Sequence, residues 1–223
     1  MRKMMLLAMF MVPVLLFGQL GIGIKAGLNF ANVTNASSIS ASNSTGFLAG
    51  IFLAPKSKGI LSSRTELIFS RQGYNYKSNT NTGNVNLDYI LLPQLMSINI
   101  TRFFSLQFGA QMAFLLNAKA DSSTNSGSST LPYSKIMDYY NKFDYGFAAG
   151  IEIHPVKGLL IGARYNLSLG DLYQDPSSYS TGNTPPSFIP KVNGKNNVVQ
   201  IFAGWIFGGG NSSKKKQQEQ PKQ

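Results

Sequence analysis

The fold is decided by residues 143–169, FDYGFAAGIEIHPVKGLLIGARYNLSL, in which two alternating segments flank a short polar turn. In the first segment every second residue is hydrophobic: Phe143, Tyr145, Phe147, Ala149, Ile151 and Ile153. The second segment repeats this pattern: Ile161, Ala163, Tyr165, Leu167 and Leu169. Because alternate side chains of a strand point to opposite faces, each segment predicts a strand with one apolar face. The turn at 155–158 contains Pro and Gly and predicts an antiparallel hairpin.

Six further segments are predicted strands, three with the same strict alternation and three less regular: 22–30, 104–116 and 199–207, then 46–54, 61–76 and 87–100. The segment 87–100 contains Pro93, whose missing N–H interrupts a ladder, so we expect a kink or bulge there. Together with the hairpin, the chain is predicted to form eight strands.

The predicted connections alternate in length along the chain. The long ones are rich in Ser, Asn, Thr, Gly and Pro, as solvated loops are: 33–45, 77–86, 119–142 and 171–195. The short ones are tight turns: 55–59, 101–103 and 155–158. Long loops at one end and short turns at the other are typical of antiparallel up-and-down outer-membrane barrels. An even number of strands places both chain ends at the end with the short turns.

The polar faces of the predicted strands carry charged side chains, whereas the apolar faces are continuous. The charged residues are Lys25, Arg64, Glu66, Glu152 and Arg164. A soluble β-barrel or sandwich, the alternative fold, needs its apolar face inside. A bulky, continuous apolar face is better covered by lipid, with the charges inside the barrel. The sequence therefore predicts an all-β protein, an eight-stranded antiparallel up-and-down transmembrane β-barrel.

The five charged residues are predicted to form a network that fills the lumen. Antiparallel pairing across the 155–158 turn sets Glu152 opposite Gly162 and Arg164 opposite Gly150. Glu152 and Arg164 are then diagonal neighbours within reach of each other, and glycines on this face leave room for the long side chains. Since buried charges must be paired, we predict a Lys/Arg–Glu network that plugs the barrel.

The two ends of the chain differ from the predicted barrel at 19–207. Residues 1–18 predict a secretory signal peptide, because a basic start precedes an uncharged run, residues 4–17, that is too short for a membrane-spanning helix. Residues 208–223, GGGNSSKKKQQEQPKQ, predict a disordered basic tail with almost nothing to bury. We expect export to the outer membrane, with both termini in the periplasm.

The residues that usually perform chemistry are scarce. The chain has no cysteine and one histidine, His154, so Cys/His zinc sites are excluded. His154 lies beside the Pro155 turn, where we expect it to be solvated. The net charge of +11 is scattered over turns, loops and termini, which argues against nucleic-acid binding. We predict no catalytic, cofactor-binding or metal-binding residues, and no cofactor.

Four segments resemble the PorT-like outer-membrane β-barrel family of Gram-negative bacteria, whose members are usually called porin-family proteins. They occur in the family's order: GIKAGLN at 23–29, ELIFSRQGY at 66–74, DYILLP at 88–93 and GLLIGARYN at 158–166. The resemblance covers 19–207 and implies an outer-membrane barrel, in a family whose members mostly have no assigned activity. The chain departs from the family's usual aromatic end, because sixteen residues follow Phe207.

The function predicted from these observations is non-enzymatic. We expect an integral outer-membrane barrel with a structural or accessory role, in contact with lipid and with envelope or secretion proteins. The candidate contact regions are the loops and the tail: 33–45, 119–142, 171–195 and 208–223. The alternative is a small-solute porin, which would need an open lumen.

Overall fold

The computed structural model describes most of the predicted barrel. The described residues are 20–34, 40–55, 59–77, 82–124, 127–130, 136–175, 189 and 194–207. The predicted signal peptide and the predicted tail lie outside these residues. In the part of the chain that is described, no helix is long and apolar enough to cross a membrane.

Nine strands are described: β1 Leu20–Thr34, β2 Ser40–Pro55, β3 Leu61–Lys77, β4 Thr82–Asn99, β5 Phe104–Thr124, β6 Gly127–Thr130, β7 Phe143–Ile153, β8 Leu159–Ser168 and β9 Lys195–Phe207. Eight of them form a closed antiparallel ring in the order β1-β2-β3-β4-β5-β7-β8-β9, and β9 pairs with β1. The short strand β6 only extends β5 as a hairpin. The eight predicted strands are confirmed as the eight strands of this ring.

The register of the ring fixes its shape. A path that starts at Ile22 of β1 and follows the paired residues around the ring passes Leu53, Gln94 and Phe147. It returns to β1 at Asn32, so the strands are staggered by ten residues over one full turn of the ring. For eight strands such a stagger corresponds to a tilt of roughly 40° and an interior just wide enough for side chains. Long side chains of one wall can therefore reach the opposite wall.

The alternation predicted from the sequence sorts side chains to the two sides of the wall. Outward residues such as Ile24, Phe108 and Ile151 are 49%, 46% and 47% exposed. Inward residues next to them on the same strands, such as Lys25, Gln107 and Glu152, are buried. The outward apolar run of β9 extends from Val199 to Phe207, the nine or so residues that a tilted strand needs to cross a bilayer. We call this outward apolar surface the belt.

The ring has two distinct ends. The turn end contains the connections at 100–103 and 154–158 and the described ends of the chain, Leu20 and Phe207. The loop end contains the connections β1–β2, β3–β4, β5–β7 and β8–β9. Pro93 lies within β4, and the ladder with β3 is interrupted between the pairs Thr65–Gln94 and Ile68–Leu91. The register is the same on both sides of the interruption, so the predicted bulge is not found there.

At the loop end the strands continue past the belt and reverse their polarity. The outward residues there are polar, for example Asn75 and Asn84, whose side chains share a 2.7 Å hydrogen bond. The inward residues are buried and aromatic or apolar: Tyr74, Tyr76, Val85 and Leu87. Parts of the predicted loops 33–45, 77–86 and 119–142 are therefore strand, which corrects their assignment as loops. Their polar composition reflects an outer face in water, not the absence of a ladder.

Phe108→Arg places a charge on the belt near the middle of the outward run of β5. We expect it to lower the free energy of unfolding in lipid vesicles by about 2–4 kcal/mol, measured by urea titration. Leu167→Arg, closer to the loop end of its run, is the matched control and should cost less. Equal stability of Phe108→Arg and the wild type would mean that this face does not contact lipid.

Candidate functional site in the barrel lumen

All five charged residues singled out in the sequence face the lumen. Lys25, Arg64, Glu66, Glu152 and Arg164 lie on β1, β3, β3, β7 and β8, and each is at most 6% exposed. Their side chains point inward because each of these residues alternates along its strand with outward residues of the belt. The lumen therefore contains charge that is removed from solvent.

Glu66 is the centre of this charged network. Its Oε2 lies 2.7 Å from Lys25 Nζ and 2.6 Å from Arg164 Nη1, and its Oε1 accepts a 3.0 Å hydrogen bond from Arg164 Nη2. Arg164 thus binds the carboxylate in bidentate fashion, the strongest geometry for such a pair. One carboxylate joins three strands across the lumen.

Glu152 binds Arg64 of β3 and not its diagonal neighbour Arg164. The register across the 155–158 turn is as predicted, with Glu152 opposite Gly162 and Gly150 opposite Arg164. The Glu152 Oε1 nevertheless pairs with Arg64 Nη1 of β3, at 2.5 Å. Glu152 and Arg164 are diagonal neighbours, as the register requires, but Arg164 crosses the narrow lumen and pairs with Glu66 instead.

Two phenylalanine rings pack against the cations. Lys25 Nζ lies 4.1 Å from the centroid of the Phe202 ring, and Arg64 Cζ lies 4.7 Å from the centroid of Phe52. A Cβ at Gly23 or Gly162 would overlap these rings, so both glycines are needed for close packing. Glycines on this face were expected to leave room for arginine and lysine stems, whereas these two accommodate the phenylalanines. Cation–π contacts of this kind are favourable in a desolvated site.

Uncharged polar residues complete the lumen, in addition to the five charged residues predicted to form the network. Gln107 accepts a 2.9 Å hydrogen bond from Arg164 Nη2. Asn29 donates to Ser70 Oγ at 2.9 Å and accepts from Gln200 Nε2 at 3.0 Å, forming a second layer that joins β1, β3 and β9. The sequence contains one signal for these residues: each alternates with belt residues along its strand, and this alternation predicts an inward side chain.

A tyrosine-rich cap fills the loop end of the lumen. We define the cap as residues 136–141 and 171–174 together with Tyr74. The hydroxyl groups of Tyr74 and Tyr140 are 2.8 Å apart, and Tyr140 pairs with Tyr173 in an isolated β-bridge. Burial raises the pKa of Tyr140 well above its usual range, so its hydroxyl stays protonated.

The cap corrects the prediction that 119–142 and 171–195 are wholly solvated loops. Ile136, Tyr140, Leu172 and Ile189 are all at most 5% exposed. Backbone hydrogen bonds join its two segments, with the Asn141 N–H donating to the Leu172 carbonyl at 3.0 Å. The signal in the sequence was the few apolar and aromatic residues within these Ser- and Asn-rich segments.

Little space remains between the charged network and the cap. A cavity of about 10 Å³ lies there, lined by residues that include Gln72, Gln111 and Asn166. That volume holds roughly one water molecule. In the described residues, the lumen is blocked at two levels by different chemistry.

His154 meets a serine and a carboxylate at the turn end, although the sequence predicted that it would be solvated. Its Nε2 lies 3.3 Å from Ser105 Oγ and 3.7 Å from Glu152 Oε2. A catalytic triad needs the serine and the carboxylate on different ring nitrogens, whereas here both approach Nε2. Burial lowers the pKa of His154, which favours the neutral ring. Within the described residues, no group of three or more His, Asp or Glu side chains is placed to hold a metal ion.

Residues 11–174 match the family model described as outer membrane protein beta-barrel domain. The chain therefore belongs to this family of outer-membrane β-barrels. The search of curated proteins found no match.

The chain is similar to several solved structures of outer-membrane proteins. Ail, the attachment invasion locus protein of Yersinia pestis, is 16% identical, with a TM-score of 0.45 over 85% of this chain and 99% of that chain. Neisserial surface protein A is 12% identical, with a TM-score of 0.45 over 82% and 96%. OprG from Pseudomonas aeruginosa is 11% identical, with a TM-score of 0.40 over 85% and 96%.

Truncation of either buried carboxylate should destabilise the barrel, and Glu66 should matter more. Glu152→Ala leaves Arg64 without its closest partner and should cost about 3–5 kcal/mol of unfolding free energy in lipid vesicles. Glu66→Ala leaves both Lys25 and Arg164 unpaired, so its cost should exceed that of Glu152→Ala. A Glu66→Ala barrel as stable as the wild type would contradict a desolvated network.

Proposed function

We propose that this chain is a non-enzymatic outer-membrane barrel with a closed lumen and a structural or accessory role. The observation that carries the proposal is the double block of the lumen, by the network around Glu66 and by the tyrosine cap. Passive diffusion of solutes requires a continuous water path, and the cavity between the two blocks holds about one water. The small-solute porin is therefore the weaker alternative.

The arrangement at His154 supports the non-enzymatic part of the proposal. Its two polar neighbours share one ring nitrogen, and Ser105 is only 2% exposed, so a substrate has no access to a nucleophile there. Acyl transfer would also need hydrogen-bond donors for an oxyanion beside the serine. The contacts of His154 fit a structural role at the turn end.

The working surface in this proposal is the loop end. The strands β1 to β5 extend there beyond the belt, and their outer faces present polar side chains such as Asn75 and Asn84. A barrel without a transport path can act through such a surface on other envelope or secretion proteins.

The orientation and location are part of the same proposal. Residues 1–18 act as a signal peptide, the mature chain begins near Gln19, and the turn end faces the periplasm. Leu20 and Phe207 both lie at the turn end, so both termini are then periplasmic. Residues 208–223 form a basic periplasmic tail.

The location is tested by fractionation and by gel mobility. We expect the mature chain in the outer-membrane fraction, with a mobility on SDS gels that changes when the sample is heated. The closed ladder of eight strands resists detergent until heat opens it. A mainly soluble periplasmic pool would contradict the proposal.

Conductance in planar bilayers distinguishes a closed barrel from a porin. The wild type should show no steady conductance. Tyr140→Ala, which removes the central residue of the cap, should also remain closed because the charged network persists below it. Steady ohmic conductance of the wild type would establish the porin alternative instead.

A further inference from the structure

The belt contains a polar patch on β3 and β4 that the lumen and the cap do not explain. The outward positions of β4 that cross the belt are Ile98, Met96, Gln94, Leu92 and Ile90. Gln94 is the middle one of the five, and its partner on β3, Thr65, is polar as well. An amide near the centre of a lipid-facing surface is unexpected, since hydrocarbon offers it no hydrogen bond.

The local structure satisfies only part of this amide. Thr65 Oγ1 donates a 2.8 Å hydrogen bond to Gln94 Oε1. Among the described residues, the Gln94 Nε2 group donates no hydrogen bond, and the side chain is only partly buried. Two amide hydrogens that face lipid without an acceptor carry a desolvation cost. The patch therefore lacks an acceptor at the depth of Gln94.

We infer that this patch is the interface at which two copies of the chain associate side by side in the membrane. A twofold axis along the membrane normal brings identical residues together at identical depth. The Gln94 amide carries both a donor and an acceptor, and its oxygen accepts more than one hydrogen bond. Two such amides therefore donate to each other reciprocally, and each copy supplies the acceptor that the other lacks.

The surroundings of Gln94 suit the close approach of two walls. Ala110 of β5, its neighbour across the ladder, is small and exposed, and so is Ser63 of β3. Met96 and Leu67 are 46% and 44% exposed and provide apolar surface around the amide. Small residues that let backbones approach, together with polar side chains that bond across the contact, hold membrane segments together in lipid.

The test uses the absence of cysteine from the chain. A reporter cysteine at Met96→Cys keeps Gln94 intact, and oxidation of native outer membranes should then give a disulfide-linked dimer. Ile201→Cys is the matched control, because Ile201 is 51% exposed on β9, the strand opposite β4 in the ring. It should give little or no cross-linked product.

The role of the amide itself is tested by adding Gln94→Leu to the Met96→Cys reporter. Leucine is apolar and is stable in contact with lipid, so the barrel should stay folded, as judged by heat-modifiable mobility. The cross-linked fraction should fall about tenfold, because the amide that bonds across the contact is lost. Three results would overturn the inference: no dimer with Met96→Cys, a product with a different protein, or a dimer yield that Gln94→Leu leaves unchanged. None of these results bears on the closed lumen, so the proposed function is tested separately.

Discussion

The carboxylate of Glu66 is the interaction on which the rest of the interior depends. It binds Lys25 of β1 and Arg164 of β8 from its place on β3, so one group joins three parts of the ring. Arg164 in turn reaches Gln107 of β5, and Arg64 carries the contacts on to Glu152 of β7. Glu66 is the carboxylate closest to both of the cations that it binds, and Gln107 and the Phe202 ring add only uncharged contacts. The network therefore joins the strands of the barrel across the lumen, and in the proposed function it also closes the lumen.

The barrel changes its polarity once along its length, and this change links the membrane to the cap. Within the belt the outside is apolar and the inside is polar, as lipid on the outside and charge in the lumen require. Beyond the belt the outside is polar, and tyrosines and aliphatic residues fill the inside, as in a soluble protein. The cap is thus a small conventional core, built on strands that have left the belt. Closure at this end relies on packing, and closure within the belt relies on ion pairs.

The sequence predicted the ring well because period-two alternation is a local signal. The outward position of residues such as Phe147 and Ile201 can be predicted from the residues next to them in the sequence. The short hairpin turn at 155–158 also gave the correct register. The ion pairs were harder to predict. Which cation Glu152 meets depends on the stagger of the whole ring: the local register gave Arg164 only as a diagonal neighbour, and the partner in the structure is Arg64 of β3. The cap was missed because its few apolar residues, such as Ile136 and Leu172, lie in segments with the composition of solvated loops.

The central claim, that Glu66 and Arg164 form a desolvated pair that closes the lumen, is tested most directly by a double-mutant cycle. The free energy of unfolding in lipid vesicles is measured for the wild type, Glu66→Gln, Arg164→Met and the double variant. Glu66→Gln removes the carboxylate that Arg164 binds, and Arg164→Met leaves Glu66 with Lys25 as its remaining close cation. If the pair is buried and mutually dependent, the double variant is more stable than the sum of the two losses predicts. A coupling energy above about 1.5 kcal/mol is expected for charges this close. Additivity within about 0.5 kcal/mol would contradict the account, because it would mean that water already separates the two side chains.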